Sequence, residues 1–122
     1  MVSVPRSTPY ADALAVLDRV GRALSDGTRR RILLSLADGP CYPAELADHL
    51  GASRPAVSNH LACLRDCGLV AAGVPGRRVA YRLADDRLAH ALHDLAGLRL
   101  HPRAGHEVQG TGPSPAARAV AG

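Results

Sequence analysis

Between Pro43 and Gly68, two stretches carry apolar residues at three- and four-residue steps, and only Gly51-Ala52-Ser53 separates them. Leu46 and Leu50 mark the buried side of the first stretch; Val57, Leu61 and Leu64 mark that of the second. So short a connection leaves two amphipathic helices little choice: they must turn sharply and share one core. Gly51 suits a helix C-terminus. Ser53 is an N-cap residue, and Pro55 falls in the first turn, where its missing N–H removes no helical bond. The spacing predicts a helix over 43–50, a turn over 51–53 and a helix over 54–67, which together form a helix-turn-helix.

The flanks place this unit in a larger pattern. Residues 9–24 read as a helix with Leu14, Leu17, Val20 and Leu24 in its stripe. "SDGT" interrupts it, and Ser25 or Asp26 can cap a second helix over 28–37 with Ile32, Leu33 and Leu36 inward. After Gly68 the period changes to two. "LVAAGV" and "RVAYRL" are strand candidates around "PGR", a hairpin tip. "DDRLAHALHDLAGLRL" is helical again, with Leu88, Leu92, Leu95 and Leu98 along one side. The expected class is mainly α with a small β-hairpin, in the order α-α-α-α-β-β-α: a winged helix-turn-helix. Residues 1–8 are expected to be a flexible arm, 9–101 the folded domain, and 102–122, rich in Gly, Pro and Ala, a largely disordered tail.

A chain of 122 residues suggests one domain, and with no Phe, no Trp and three Tyr its core must come from Leu, Val and Ala. Such a thin core gains from association, and the apolar faces bearing Leu14 and Leu17, and Leu88, Leu92 and Leu95, point to a homodimer. The net charge is +4 and all fifteen basic residues are Arg. Genomic base composition alone can remove Lys. Yet the planar Arg fork also suits phosphate and guanine, and the basic balance fits a nucleic-acid partner. No run approaches the ~20 apolar residues of a membrane helix, and the N-terminus does not read as a secretion signal. A cytoplasmic protein without a membrane partner is expected, with thiols rather than disulfides. No phosphate loop, Ser/His/Asp set or carboxylate pair suggests an enzyme or an organic cofactor.

At about 100° per residue, the 54–67 helix has three faces. Val57, Leu61 and Leu64 share one. Ser58, Asn59 and Ala62 lie about 100° to 200° away from Val57, and Cys63 and Cys67 lie on a third side that also carries His60. Ser58 and Asn59, with Arg54 near the N-terminus, can meet phosphates or base edges in double-stranded DNA. Arg77, Arg78 and Arg82 in the hairpin can reach phosphate or the minor groove. Each feature alone reads as an ordinary solvated face. On this topology together they point to DNA.

Cys63 and Cys67 are four residues apart, with Cβ atoms about 5–6 Å apart on a helix. That is too far for a disulfide, which needs ~3.8 Å. It is close enough for two thiolates to share a soft ion such as Cd(II), Pb(II) or Zn(II) at ~2.3 Å or slightly more. Free Cys is also a common small core residue, and the same pair can serve as a thiol redox switch.

"ALSDGTRRRILLSL", the S-x-H-L-x-x-L-x-x-x-G-L-V run over 58–70 and "GRRVAYRL" resemble the ArsR/SmtB family of metal-responsive winged-helix repressors. "CYPAELADHL" and "SNHLACLRDCGLV" are similar to its cadmium/lead-sensing branch. The resemblance spans about residues 12–100. It implies a homodimer joined through its first and last helices, bound to operator DNA without metal and released with it. In that branch a third thiolate comes from the partner's C-terminal region, but this chain has no Cys after Cys67. His106 and Glu107 lie nearest the equivalent place, with His101 second and His60 a local candidate. Cys41 is expected to be structural. Arg87 and Leu98 stand where another family site has its two His ligands, so no zinc site is expected on the last helix.

Replacing Arg77 and Arg78 with Ala should weaken binding to every DNA sequence and lower the slope of log affinity against log salt by about one to two, since fewer counterions are released. An unchanged slope in a salt titration would mean that the wing does not touch phosphate.

Overall fold

The computed structural model describes residues 9–73 and 79–103. Five helices and a hairpin follow in the expected order: α1 (Tyr10–Leu24), α2 (Gly27–Ala37), α3 (Pro43–Leu50), α4 (Arg54–Asp66), β1 (Val70–Ala72), β2 (Tyr81–Leu83) and α5 (Asp86–Ala96). Residues 1–8, the hairpin tip at 74–78 and residues 104–122 lie outside the described residues, and with them the expected arm and most of the expected tail.

Local chemistry sets each boundary. Asp26, rather than Ser25, caps α2: its carboxylate accepts the Arg29 N–H at 2.9 Å. That bond is the main reason the Asp26 carboxyl sits below its ordinary range. At the start of α3, Glu45 accepts the Tyr42 N–H at 2.8 Å. The helix stops where Gly51 takes a left-handed φ of 64° and the Ala52 N–H turns back to the Ala47 carbonyl at 3.0 Å. Gly68, at φ 79°, repeats the device after α4, and the Leu69 N–H returns to the Leu64 carbonyl at 2.9 Å. The reversal that starts the hairpin is thus a helix-capping motif.

The core is aliphatic, as the composition requires. Ile32, Leu33 and Leu36 of α2 meet Leu46 and Leu50 of α3, and Val57, Leu61 and Leu64 of α4. Helix α2 is the centre, packing against the other four helices and β2. Its three consecutive arginines also hold neighbouring helix ends. Arg29 donates to the Arg22 carbonyl at 2.9 Å and the Ala23 carbonyl at 3.4 Å. Arg30 donates to the Leu24 carbonyl at 2.8 Å, and Arg31 reaches across to the Leu50 carbonyl at the end of α3.

The hairpin is antiparallel, with Val70 opposite Leu83, Ala71 opposite Arg82 and Ala72 opposite Tyr81. Val70 and Leu83 are buried while Arg82 is exposed, so the sheet turns one face to the core. The paired segments are shorter than the period-two runs. Cys41 bridges the other edge of β2 through backbone bonds with Tyr81 at 3.0 and 2.8 Å. Helix α5 ends at Ala96, so Leu98 follows the helix rather than continuing its stripe. Among the described residues no helix is long and apolar enough to cross a membrane.

A Cβ at Gly51 would meet nothing within 4 Å, so Gly51→Ala carries only the backbone penalty of a left-handed residue. That is about 1 kcal/mol, a melting midpoint lower by about 4–8 °C. An unchanged midpoint in a thermal melt would show that the turn relaxes to another conformation.

Candidate functional site

The helix-turn-helix places α4 with three distinct sides, as its residue pattern implies. Val57, Leu61 and Leu64 are essentially without solvent exposure. Ser53 caps the N-terminus, its Oγ accepting the Ala56 N–H at 3.2 Å. Arg54, Ser58 and Asn59 are exposed on the outer side of the helix. They form a surface of one cation and two hydrogen-bonding groups beside a helix N-terminus, whose N–H groups favour anions. In the hairpin, Arg82 is exposed and its guanidinium donates to the Ala72 carbonyl across the strands at 3.4 Å. Arg77 and Arg78 lie outside the described residues.

Cys67 is the C-cap of α4 and its N–H donates to the Cys63 carbonyl at 3.0 Å, so the two cysteines keep helical i, i+4 spacing. Cys63 is exposed and Cys67 half-buried; both are free thiols. Both line one small hollow of about 40 Å³, closed by Arg22, Ala23, Arg29 and Leu64. This is a water-sized space whose donor atoms are two soft sulfurs, a fit for a soft ion that needs further ligands. Among the described residues no cluster of three or more His, Cys, Asp or Glu side chains is arranged to hold a metal. His106 and Glu107 lie outside the described residues, and His101 is exposed past the end of α5.

The other candidates are engaged elsewhere. His60 Nε2 lies 4.0 Å from Asp26 Oδ2 at the start of α2. His93, which its helix pattern marks as a solvated position, sits 3.3 Å from the Ala37 carbonyl and 3.4 Å from Asp38 Oδ1, joining α5 to the end of α2. Arg87 is bound to Asp85 at 2.8 Å. Cys41 is half-buried with its Sγ 3.6 Å from the Gly39 carbonyl. Burial, then the carboxylates of Glu45 and Asp38, raises its thiol above the ordinary value. The residues that sequence reasoning missed are Arg22 and Arg29. The signal available was the Arg run immediately after the Asp26 cap, but which helix ends it reaches is set by tertiary packing.

Comparison with known proteins identifies the family and the fold. Residues 26–72 match the family model described as bacterial regulatory protein, arsR family. The chain is 60% identical over 81 residues to the HTH-type transcriptional regulator CmtR of Mycobacterium tuberculosis, covering 66% of this chain and 69% of that one. The NMR structure of the cadmium metal-sensor CMTR from Mycobacterium tuberculosis superposes with a TM-score of 0.59 at 52% identity, over 77% of this chain and 98% of that one. The homodimeric winged helix-turn-helix DNA-binding domain Mb0332 of Mycobacterium bovis gives a TM-score of 0.63 at 32% identity, over 77% and 84% of the two chains.

The thiols should differ in reactivity. At pH 7–8, iodoacetamide should label exposed Cys63 first and Cys41 last, because a raised pKa leaves Cys41 less thiolate. Its lag should shrink as the pH climbs through that raised value. Mass spectrometry of peptides after timed quenching reads the order, and early labelling of Cys41 would contradict it.

Proposed function

We propose that this chain, which belongs to the arsR family of bacterial regulatory proteins and is a DNA-binding transcription regulator rather than an enzyme, is a homodimeric cytoplasmic repressor that leaves its operator when Cys63 and Cys67 take up a soft metal ion. The observation that carries the reading is the double use of α4. One side presents Arg54, Ser58 and Asn59 to solvent, and another places both thiols on one hollow. Soft sulfur favours Cd(II), Pb(II) or Zn(II) over hard ions, and the cadmium sensor that this chain resembles supports that choice.

On this reading Ser58, Asn59 and Arg54 enter the major groove, while Arg77, Arg78 and Arg82 hold the wing against the phosphates. Two subunits meet through α1 and α5. Leu14 and Leu17 are 41% and 63% exposed, and Leu95 is 53% exposed, apolar area for a partner to cover, whereas Leu92 is buried in the subunit's own core and Leu88 packs against it. The homodimeric relative supports this assembly. Moving a population from 1:99 to 99:1 takes ~5.5 kcal/mol of preference for the released form. Two thiolates are a small ligand set for that, so His106 and Glu107 in the tail are assigned as the completing ligands. A second reading, thiol oxidation, draws on the exposure of Cys63; it predicts release by peroxide and none by metal under reducing conditions.

Cys63→Ser and Cys67→Ser should each leave operator affinity within about threefold, since neither belongs to the DNA-facing side, yet abolish release by Cd(II) in anaerobic buffer with reductant. His106→Ala, or truncation after Pro102, should blunt the response. Fluorescence anisotropy of labelled operator checks all four variants. Normal release from both Cys variants would remove the metal from this helix; normal release from the truncated chain would place the missing ligand near α4.

A further inference from the structure

The thiol hollow touches the end of another helix. Arg22 and Ala23, the last turn of α1, form one wall; Arg29 of α2 forms another; Cys63 and Cys67 of α4 form the third. Arg29 is half-buried there. Its Nη2 donates to the Arg22 carbonyl at 2.9 Å and its Nε to the Ala23 carbonyl at 3.4 Å. One guanidinium therefore ties the end of α1 to the start of α2, and the same side chain lines the hollow that Cys63 and Cys67 line.

Neither carbonyl depends on Arg29 alone. The Arg22 carbonyl also accepts the Ser25 hydroxyl at 2.6 Å and the Ser25 N–H at 3.3 Å. The Ala23 carbonyl also accepts the Asp26 N–H at 3.5 Å. The guanidinium can leave both without orphaning a buried acceptor, so the exchange avoids the main cost of breaking such bonds. As thiols, Cys63 and Cys67 are weak acceptors. Holding a divalent ion, Cys63 and Cys67 would each give an S–H proton to solvent and bind through sulfur, which would retain part of the thiolate charge. A guanidinium bonded to such a sulfur pairs two ionised groups, whereas its bond to a carbonyl is charge-assisted from the donor side alone.

We propose that Arg29 is the positioning residue that passes occupation of the Cys63–Cys67 site to α1, by transferring its hydrogen bonds from the Arg22 and Ala23 carbonyls to the thiolate sulfurs. This rests on the metal reading above and adds a route for it. Helix α1 carries the exposed Leu14 and Leu17. Loosening its last turn from α2 changes how that apolar face is presented, and with it the spacing of two recognition helices in a dimer.

The test uses the full-length reduced dimer, with Cd(II) binding followed by ultraviolet thiolate-to-metal absorption and operator binding by anisotropy. Arg29→Gln should still take up one Cd(II) per subunit at the thiol pair, with its affinity lowered because the guanidinium bonds to sulfur are lost. The ratio of operator dissociation constants with and without Cd(II) should fall by about tenfold or more, within the usual range of coupling energies. Its absorption band should move to longer wavelength, because a hydrogen bond to sulfur stabilises the lone pair from which the charge transfer starts. Arg31→Gln removes a carbonyl contact at the end of α3; it should lower operator affinity with and without Cd(II) alike, leaving their ratio and the band in place. A merely structural role would lower the melting temperature of both variants without separating them. If Arg29→Gln does not fold, Arg29→Lys carries the test. It keeps the charge but not the fork, and its ratio should fall by at least about threefold. An unreduced ratio in the folded variant overturns the proposal. If wild-type protein gives no thiolate band with Cd(II), the metal reading itself fails and the link with it.

Discussion

The packing of α2 is the constraint on which the other elements depend. Ile32, Leu33 and Leu36 fill the centre of a core without buried aromatic residues, and α2 packs against all four remaining helices and β2. Aliphatic contact alone is non-directional. The guanidinium bonds from Arg29, Arg30 and Arg31 add direction by holding the ends of α1 and α3 at fixed places along α2. Lysine could not replace them in kind. An ammonium lacks the planar fork that lets Arg29 address two carbonyls at once. An all-Arg composition, which base usage alone can produce, thus has a structural use here.

With α3 held by Arg31 and by the left-handed turn at Gly51, α4 has little freedom to rotate. Its buried stripe then dictates where everything else on it points. The polar groups Ser58 and Asn59 face solvent, and the thiols fall on the side nearest α1 and α2. Under the proposed function, DNA reading and thiol chemistry would share one short helix without sharing a surface. On that reading, a force on its sulfurs would be carried along α4 to the side proposed to face DNA.

Much of this was legible in the residues. The stripe Val57-Leu61-Leu64, the Gly51 and Gly68 stops, the Ser53 cap and the change of period after Gly68 are local signals, and local chemistry sets those boundaries in the structure. The i, i+4 placement of Cys63 and Cys67 follows from helical spacing alone. Other features depend on which elements meet. Nothing in the spacing says that Arg29 returns to the end of α1 and closes the thiol hollow. Nor does it say that His93, on the solvated side of α5, reaches the last carbonyl of α2, or that Cys41 extends the sheet at β2. These contacts join residues far apart in sequence or different helix ends, and they are settled by tertiary packing. Arg77, Arg78, His106 and Glu107 lie outside the described residues, so their roles rest on sequence chemistry.

The central claim is that one helix both reads DNA and senses a soft ion. Its most direct test is a single titration of Cd(II) into reduced protein bound to fluorescent operator, with thiolate-to-metal absorption and anisotropy recorded on the same sample. The account predicts that the absorption band and the loss of anisotropy rise together and saturate at about one ion per subunit, the stoichiometry set by one thiol pair on each α4. Saturation of the band with the operator still bound, or release without any band, would contradict it.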